Sequence, residues 1–404
     1  MAPSNLVIVG ASLAGLRAAE ALRRQGHDGR LTVIGDEPHL PYDRPPLSKQ
    51  ILRGEWQPEQ IVLRRQPYEE LDLDLRLETR ATALEIAEQR VELDDGSFVS
   101  YDGLLIATGA AARRLPGLPD LEGIHVLRGL DDALAIRAGL EQSPRVCVVG
   151  AGFIGAEVAA SARQLGLEVT MVDPLPVPCQ RGLGVEMGGL LAGLHRDHGV
   201  DLRLGTGVTG FEGDSRIERI RLSDGSAIET DLVVVGIGAV PATDWLKSSG
   251  LELRDGVVCD SSCATRAPGV FAAGDVARWD HPLFGDIRVE HWTNAVEQGV
   301  YCASRLLEPP PGGDVEPPEP FQPVPMFWSD QYDRMIQAAG HAAPDDEVKV
   351  VMGSAEEREF VALYGRAGRL TGVLAFNRAR DLMKFRRALS EVVSWEDALK
   401  LAAV

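Results

Sequence analysis

The sequence predicts an α/β protein in which one βαβ design is written twice, followed by a shorter α+β segment. Three observations carry that prediction. First, two stretches share a plan: NLVIVGASLAGLRAAEALRRQGHDGRLTVIGDE from Asn5 and RVCVVGAGFIGAEVAASARQLGLEVTMVDP from Arg145. Each runs apolar strand, Gly-rich turn, Ala-rich helix, second apolar strand and acid. Second, each is followed by short strands around an Asp-Gly turn, VELDDGSFVSYDGLLIATG and IRLSDGSAIETDLVVVGIG. Asp95-Gly96 and Asp224-Gly225 are hairpin signals, and each run ends in a buried strand and a glycine, Gly109 and Gly238. Third, EVKVVMG, EFVALYG and LTGVLAFN near the end are short, rich in β-formers and antiparallel in character, and RARDLMKFRRALSE after them is a basic amphipathic helix.

The second copy carries the full dinucleotide fingerprint. Gly150 makes the tight turn, Gly152 lets the backbone approach a pyrophosphate, and Gly155 lets helix and strand pack closely. The helix N-terminus offers unpaired N–H groups and the positive end of a dipole to phosphate. Asp173, which ends the second strand, accepts from ribose hydroxyls and repels a 2′-phosphate, so NADH is expected over NADPH. The first copy keeps Gly10 and Gly15 but has Ser12 in place of the middle glycine. Its acid is Asp36 or Glu37, with Asp36 preferred. Two such Rossmann-like domains in series imply two nucleotide cofactors, FAD in one and NAD(H) in the other, with electrons passing between them.

Bulk properties set the outer limits. At 404 residues the chain exceeds one ordinary core. No apolar run is long enough to span a bilayer, and MAPSNLVIVG lacks the basic start and apolar core of a signal peptide, so a cytoplasmic protein is expected. Lys plus Arg number 41 against 60 Asp plus Glu, a formal charge of −19 that repels nucleic acid. The five cysteines, 147, 179, 259, 263 and 302, form no disulfide framework, and Cys259 and Cys263 have no second Cys or His pair to complete a metal site.

PYDRPPLSK, residues 41–49, stands apart. Its prolines fix the backbone and remove donors, so it reads as a stiff loop holding Arg44 and Lys49 at set positions.

With ATG at 107–109 and GVFAAGDVA at 269–277, the chain resembles the two-dinucleotide-binding flavoproteins along nearly its whole length. LPYDRPPLSK, GFIGAEVAA, RVEHWTNAVEQG and FWSDQY together resemble one branch, the NADH-dependent ferredoxin reductases that serve oxygenases, of the putidaredoxin, rhodocoxin and biphenyl-dioxygenase reductase kind. Related branches carry a Cys-x4-Cys pair or a single Cys after the first acid. Here YDRPPLSKQILRGEW has none, which argues against a thiol relay beside the flavin.

The resemblance implies roles for particular residues. Lys49 would sit by the isoalloxazine ring, paired with Glu157, and these two are the candidate catalytic residues. Arg44 and Arg128 would reach FAD, and Asp275 would bind its ribityl chain; Gly10, Ala14, Gly15, Asp36, Ala81, Thr108, Gly109, Gly274 and Trp292 complete the expected FAD set. Trp292 or Trp328 would shield the ring or line the electron exit. The expected NAD set is Gly150, Gly152, Ile154, Gly155, Glu157, Asp173, Arg181 and Gly238; a second family arginine is replaced by Val177.

The expected organisation is an FAD domain from 1–110 and 242–320, an NAD domain from 111–241 and a C-terminal α+β domain from 322–404, with the Pro-rich acidic stretch 308–325 as linker. The expected function is NADH:ferredoxin oxidoreductase: hydride from NADH to FAD, then single electrons to a [2Fe–2S] ferredoxin serving a cytochrome P450 or ring-hydroxylating dioxygenase. Arg378, Arg380, Lys384, Arg386 and Arg387 form a basic helix suited to an acidic ferredoxin. An NADH oxidase or small-acceptor reductase is the alternative within the fold. A DNA-binding role like that of apoptosis-inducing-factor-like proteins conflicts with the net charge.

Overall fold

The structure is a computed structural model that describes residues 3–308 and 317–403. The linker residues 309–316 lie outside the described residues. Helices are labelled α1 (Leu13–Arg24), α2 (Leu130–Leu140), α3 (Phe153–Gln164), α4 (Gln180–Asp197), α5 (Trp292–Leu307), α6 (Ala379–Ser390) and α7 (Trp395–Ala402). The chain divides into two compact units, one of residues 1–43, 62–111 and 240–325, the other of 44–61, 112–239 and 326–404.

The first unit is built on a five-stranded parallel sheet in the order Val270–Ala272, Gly103–Ile106, Asn5–Val9, Arg30–Ile34, Asp74–Arg76. Leu6, Val7, Ile8 and Val9 are all buried, as expected of a strand covered on both faces. Helices α1 and α5 pack against each other so closely that a Cβ on Gly299 would lie 2.4 Å from the Ala14 carbonyl oxygen. Arg90–Leu93 and Phe98–Ser100 form the hairpin predicted around Asp95-Gly96, with Gly96 at φ +81° and Asp95 Oδ1 accepting from the Ser97 N–H at 2.8 Å. Linker residue Phe321 is buried, and its N–H donates to the Ser261 carbonyl at 2.7 Å.

The second unit repeats the plan. Its parallel sheet runs Asp201–Leu204, Glu168–Asp173, Arg145–Val149, Leu232–Val235, Ile124–Val126. The Asp224-Gly225 hairpin has the same chemistry as its counterpart: Gly225 at φ +84° and Asp224 Oδ1 accepting from the Ser226 N–H at 2.9 Å. The copies differ at the last strand of each sheet. In the first it comes from late in the chain, Val270–Ala272, and in the second from ahead of the βαβ unit, Ile124–Val126.

The C-terminal part forms a five-stranded antiparallel sheet, Met326–Gln331, Arg334–Gly340, Arg369–Phe376, Glu359–Arg366, Glu347–Ser354, followed by α6 and α7. The last three strands in the chain and α6 agree with the sequence prediction. The first two were not predicted. In FWSDQ the fully buried side chains include the polar Ser329 and Gln331, so the apolar alternation that signals a strand is missing. Cys179, Leu183, Met187, Leu191 and Leu194, from the start and length of α4, share a buried cluster with Ile336, Phe360, Ala362, Tyr364, Leu374 and Phe376 of this sheet. Burial of that shared apolar surface explains why 326–404 belongs to the same unit as α4.

The Pro-rich loop is more ordered than a plain loop. Pro45–Ser48 make one turn of 3-10 helix, with the prolines at its start where a missing N–H leaves nothing unpaired.

Candidate functional site

In the first unit the glycine turn forms a cradle that side chains would fill. Gly10 sits at φ +123°, and a Cβ there would lie 2.1 Å from the Ala107 carbonyl oxygen. A Cβ on Gly15 would lie 1.9 Å from the Gly10 oxygen, which fixes how closely α1 follows the strand. Ser12 is the extended N-cap residue of α1 and makes no capping bond with its side chain. Ala14 is buried in α1, and Gly274, at φ +77°, would bring a Cβ within 3.2 Å of the Ala14 Cβ. The Gly274 N–H is held by Gln298 Oε1 at 2.8 Å, a buried support that the sequence did not reveal.

The other first-unit candidates each have partners of their own. Thr108 donates to the Ala242 carbonyl at 2.9 Å, and Gly109 follows at φ +66°. Asp275 lies in a 3-10 turn, and Arg288 Nη1 donates to its carbonyl oxygen at 3.0 Å. Trp292 opens α5 and donates its indole N–H to Asp43 Oδ1 at 2.7 Å. Asp36 is exposed and lies 3.4 Å from the Arg80 guanidinium, while Glu37 accepts from the Tyr42 hydroxyl. Ala81 opens the strand that pairs with Arg90–Leu93.

The second cradle has the same construction with one telling difference. Cβ atoms on Gly150 and Gly155 would lie 2.3 Å from the Gly236 oxygen and 2.0 Å from the Gly150 oxygen. Gly152, the N-cap residue of α3, has nothing within 4 Å of its Cβ position. Two glycines are therefore demanded by the protein itself, whereas the space at the middle one is open. Ile154 is exposed in the first turn of α3. Asp173 accepts from the Ala151 N–H at 2.7 Å and from the Leu175 N–H at 2.8 Å, so the acid at the strand end also pins the glycine turn. Gly238 sits at φ +101°, and its carbonyl accepts from the Arg113 N–H at 2.9 Å. Arg181 is exposed at the start of α4 and has no ion pair among the described residues.

Of the loop cations, Lys49 is buried and Arg44 half-buried. Lys49 Nζ lies 2.9 Å from Glu157 Oε2, with side chains only 6% and 4% exposed. Glu157 is carried by α3, and its carboxylate also accepts from the Ser48 hydroxyl and, at 2.7 Å, from the Ser329 hydroxyl. An ionised carboxylate only accepts, and here every neighbour donates. Arg44 Nη1 donates to the Arg128 carbonyl at 2.9 Å, which brings those two candidates together as well. Ser48 and Ser329 are functional neighbours missed in the sequence; a serine beside Lys49 was the only signal. Trp328 is half-buried in the strand that carries Ser329.

All five cysteines are buried and unpaired. Burial pushes the Cys147 thiol up to about 12 and raises Cys179, Cys259 and Cys302 as well. Such thiols are poor sources of thiolate.

On the basic helix, Arg378 pairs with Asp381 at 2.6 Å and Arg387 with Glu391 at 3.0 Å, and the Lys384 ammonium donates to the Leu401 carbonyl at 2.7 Å. Arg380 is exposed with no ion pair among the described residues, and Met383 beside it is 50% exposed.

Residues 4–299 match the family described as pyridine nucleotide-disulphide oxidoreductase, and residues 326–402 match the family described as reductase C-terminal. The chain belongs to the pyridine nucleotide-disulphide oxidoreductase family and is an FAD- and NADH-dependent oxidoreductase. It is 37% identical to rhodocoxin reductase of Rhodococcus erythropolis, over 96% of this chain and 89% of the relative. It is 35% identical to the benzene 1,2-dioxygenase system ferredoxin–NAD(+) reductase subunit of Pseudomonas putida, over 99% and 96%. The crystal structure of the covalent putidaredoxin reductase–putidaredoxin complex superposes with a TM-score of 0.92 at 32% identity, covering 100% of this chain and 99% of that one.

Proposed function

We propose that the chain is the NADH:ferredoxin reductase of an oxygenase system, delivering electrons to a [2Fe–2S] ferredoxin that serves a cytochrome P450 or a ring-hydroxylating dioxygenase. The observation that carries this reading is the buried Lys49–Glu157 pair on a loop without cysteine, in a chain with two nucleotide cradles. The ferredoxin-reductase relatives, matched end to end, support it.

FAD, when bound, would supply the redox chemistry, accepting a hydride from NADH and releasing electrons one at a time. The protein's own part is to bind, orient and screen. The first glycine turn, Gly10 and Gly15, would hold the FAD pyrophosphate beside α1, with Ala14, Asp36, Ala81, Thr108, Gly109, Gly274, Asp275 and Trp292 in its site and Arg44 and Arg128 reaching it. The second glycine turn, Gly150, Gly152 and Gly155, would hold NADH, with Ile154, Asp173, Arg181 and Gly238 completing its site and Asp173 and Arg181 serving its ribose and phosphate. Lys49 would present a fixed positive charge to the flavin edge, suited to the negative charge of the reduced ring, and Glu157 holds that ammonium in one orientation. The functional domains run 1–110 with 242–320, 111–241 and 322–404. The enzyme works in the cytoplasm.

NADH-driven cytochrome c reduction by the yellow protein, with and without an added [2Fe–2S] ferredoxin, tests the reading. A large ferredoxin-dependent rise is expected. Steady NADH consumption with peroxide release and no rise with any ferredoxin overturns it in favour of an NADH oxidase.

A further inference from the structure

Behind the Lys49–Glu157 pair lies a buried polar chain that hydride transfer alone does not require. Ser329, Gln331 and His195 are all fully buried. Ser329 donates to Glu157 Oε1 at 2.7 Å, Gln331 Nε2 donates to Ser329 Oγ at 3.2 Å, and Gln331 Oε1 meets His195 Nε2 at 3.1 Å. His195 Nδ1 lies 2.9 Å from the Tyr332 hydroxyl, and the Tyr332 ring stacks on His198 at 3.7 Å.

The donor and acceptor inventory fixes the direction of every link. Ser329 has one hydroxyl hydrogen, and Glu157 takes it, so Gln331 must donate to the serine oxygen with its amide NH2. The Gln331 oxygen then needs a donor, which places the ring proton of His195 on Nε2. His195 Nδ1 is left to accept from the Tyr332 hydroxyl. Burial pushes the His195 pKa down to about 4, so the ring is neutral and the single-proton assignment holds. All links point the same way, from Tyr332 toward the Glu157 carboxylate, the arrangement in which each bond polarises the next. A carboxamide carries no proton onward at neutral pH, so the chain acts by orientation and polarity rather than as a proton wire. Tyr332 itself is held at φ +58°, a left-handed conformation unfavourable to an L-residue that surrounding structure must enforce.

We propose that Ser329, Gln331 and His195 are positioning residues of the Lys49–Glu157 pair: a one-way chain of donors, anchored at Tyr332, that fixes the Glu157 carboxylate and through it the Lys49 ammonium. The C-terminal sheet thereby sets the charge that faces the cofactor. This rests on the reading above, in which Lys49 acts at the flavin edge.

The test uses the FAD-loaded full chain, with two readouts: stopped-flow bleaching of flavin absorbance by NADH, and the flavin midpoint potential by spectroelectrochemistry. Ser329→Ala slows bleaching about tenfold and shifts the potential. Gln331→Met, which does not touch Glu157, moves both readouts in the same direction. Adding it to Ser329→Ala causes no further loss, because the chain is already broken. Ser329→Thr, which keeps the hydroxyl, restores wild-type values. Lowered thermal stability with rate and potential unchanged in Ser329→Ala and Gln331→Met overturns the proposal and leaves the chain as a tether only. Lys49→Met separates the two levels: no effect on bleaching or potential removes the reading of Lys49 itself, whereas an effect in Lys49→Met without one in Ser329→Ala removes only the positioning chain.

Discussion

The Lys49 ammonium and the Glu157 carboxylate meet at 2.9 Å inside the protein, one carried by a Pro-rich loop and the other by the helix after the second glycine turn. Each is the other's main compensation for leaving water. Lys49→Met or Glu157→Gln alone leaves a buried group without its partner and lowers unfolding free energy by about 3–5 kcal/mol. The double variant loses less than the sum of the two, because no lone charge remains. Urea unfolding of the four proteins as a double-mutant cycle measures this coupling.

His195 makes stability depend on pH. Its folded-state pKa is near 4 against an ordinary 6.5, so between those values the unfolded chain binds a proton that the folded protein refuses. Its contribution is complete above pH 6.5 and is lost as the pH falls toward 4, about 3 kcal/mol in all. Urea midpoints across this window fall less steeply in His195→Gln than in the wild type, although the variant starts lower. Equal slopes remove His195 as the source.

Gly152 and Gly155 separate ligand demand from fold demand. Gly152→Ala meets no protein atom within 4 Å and leaves the melting temperature within a degree or two (about 0.5 kcal/mol). On the proposed reading of this turn as the NADH pyrophosphate site, its methyl stands in the ligand's way and KM for NADH rises about tenfold or more. Gly155→Ala instead drives a Cβ to 2.0 Å from a backbone oxygen and destabilises by about 3 kcal/mol. Melting curves and NADH titration of both variants check the contrast.

Charge reversal on α6 probes docking. Arg380→Glu, at an exposed helix cation, lowers kcat/KM for an acidic ferredoxin about tenfold at low salt, and the deficit shrinks as salt is added. Arg387→Glu has a smaller effect, because Arg387 is already paired with Glu391. Salt-dependent cytochrome c assays with each variant decide whether this face receives the ferredoxin.

Much of this was legible in the sequence because it is written in local patterns. The Asn5 and Arg145 repeats with their acids, and the Asp-Gly hairpins that follow each, depend on near neighbours in the chain, where spacing determines geometry. The support of Glu157 was not legible. Ser329, Gln331 and His195 are far from Glu157 in the chain, and buried serine, glutamine and histidine disrupt the apolar periodicity from which elements are read. The Met326–Gln331 strand was missed for the same reason that makes it useful: its inward side chains include hydrogen-bonding ones. Asp173 was read as a ribose partner, and its second duty of pinning the glycine turn through the Ala151 N–H depends on a bond that no spacing rule shows.

The shared interior of α4 and the C-terminal sheet has a consequence for recombining this enzyme with its relatives. Leu183, Met187, Leu191 and Leu194 face Phe360, Tyr364, Leu374 and Phe376 across one packed interior, although the family boundary falls between them at residue 326. A graft that exchanges residues 326–402 alone sets a foreign sheet on a native helix and mismatches that surface. The transplantable piece is the sheet together with α4, so the seam of a working chimera belongs ahead of Gln180 rather than in the Pro-rich linker.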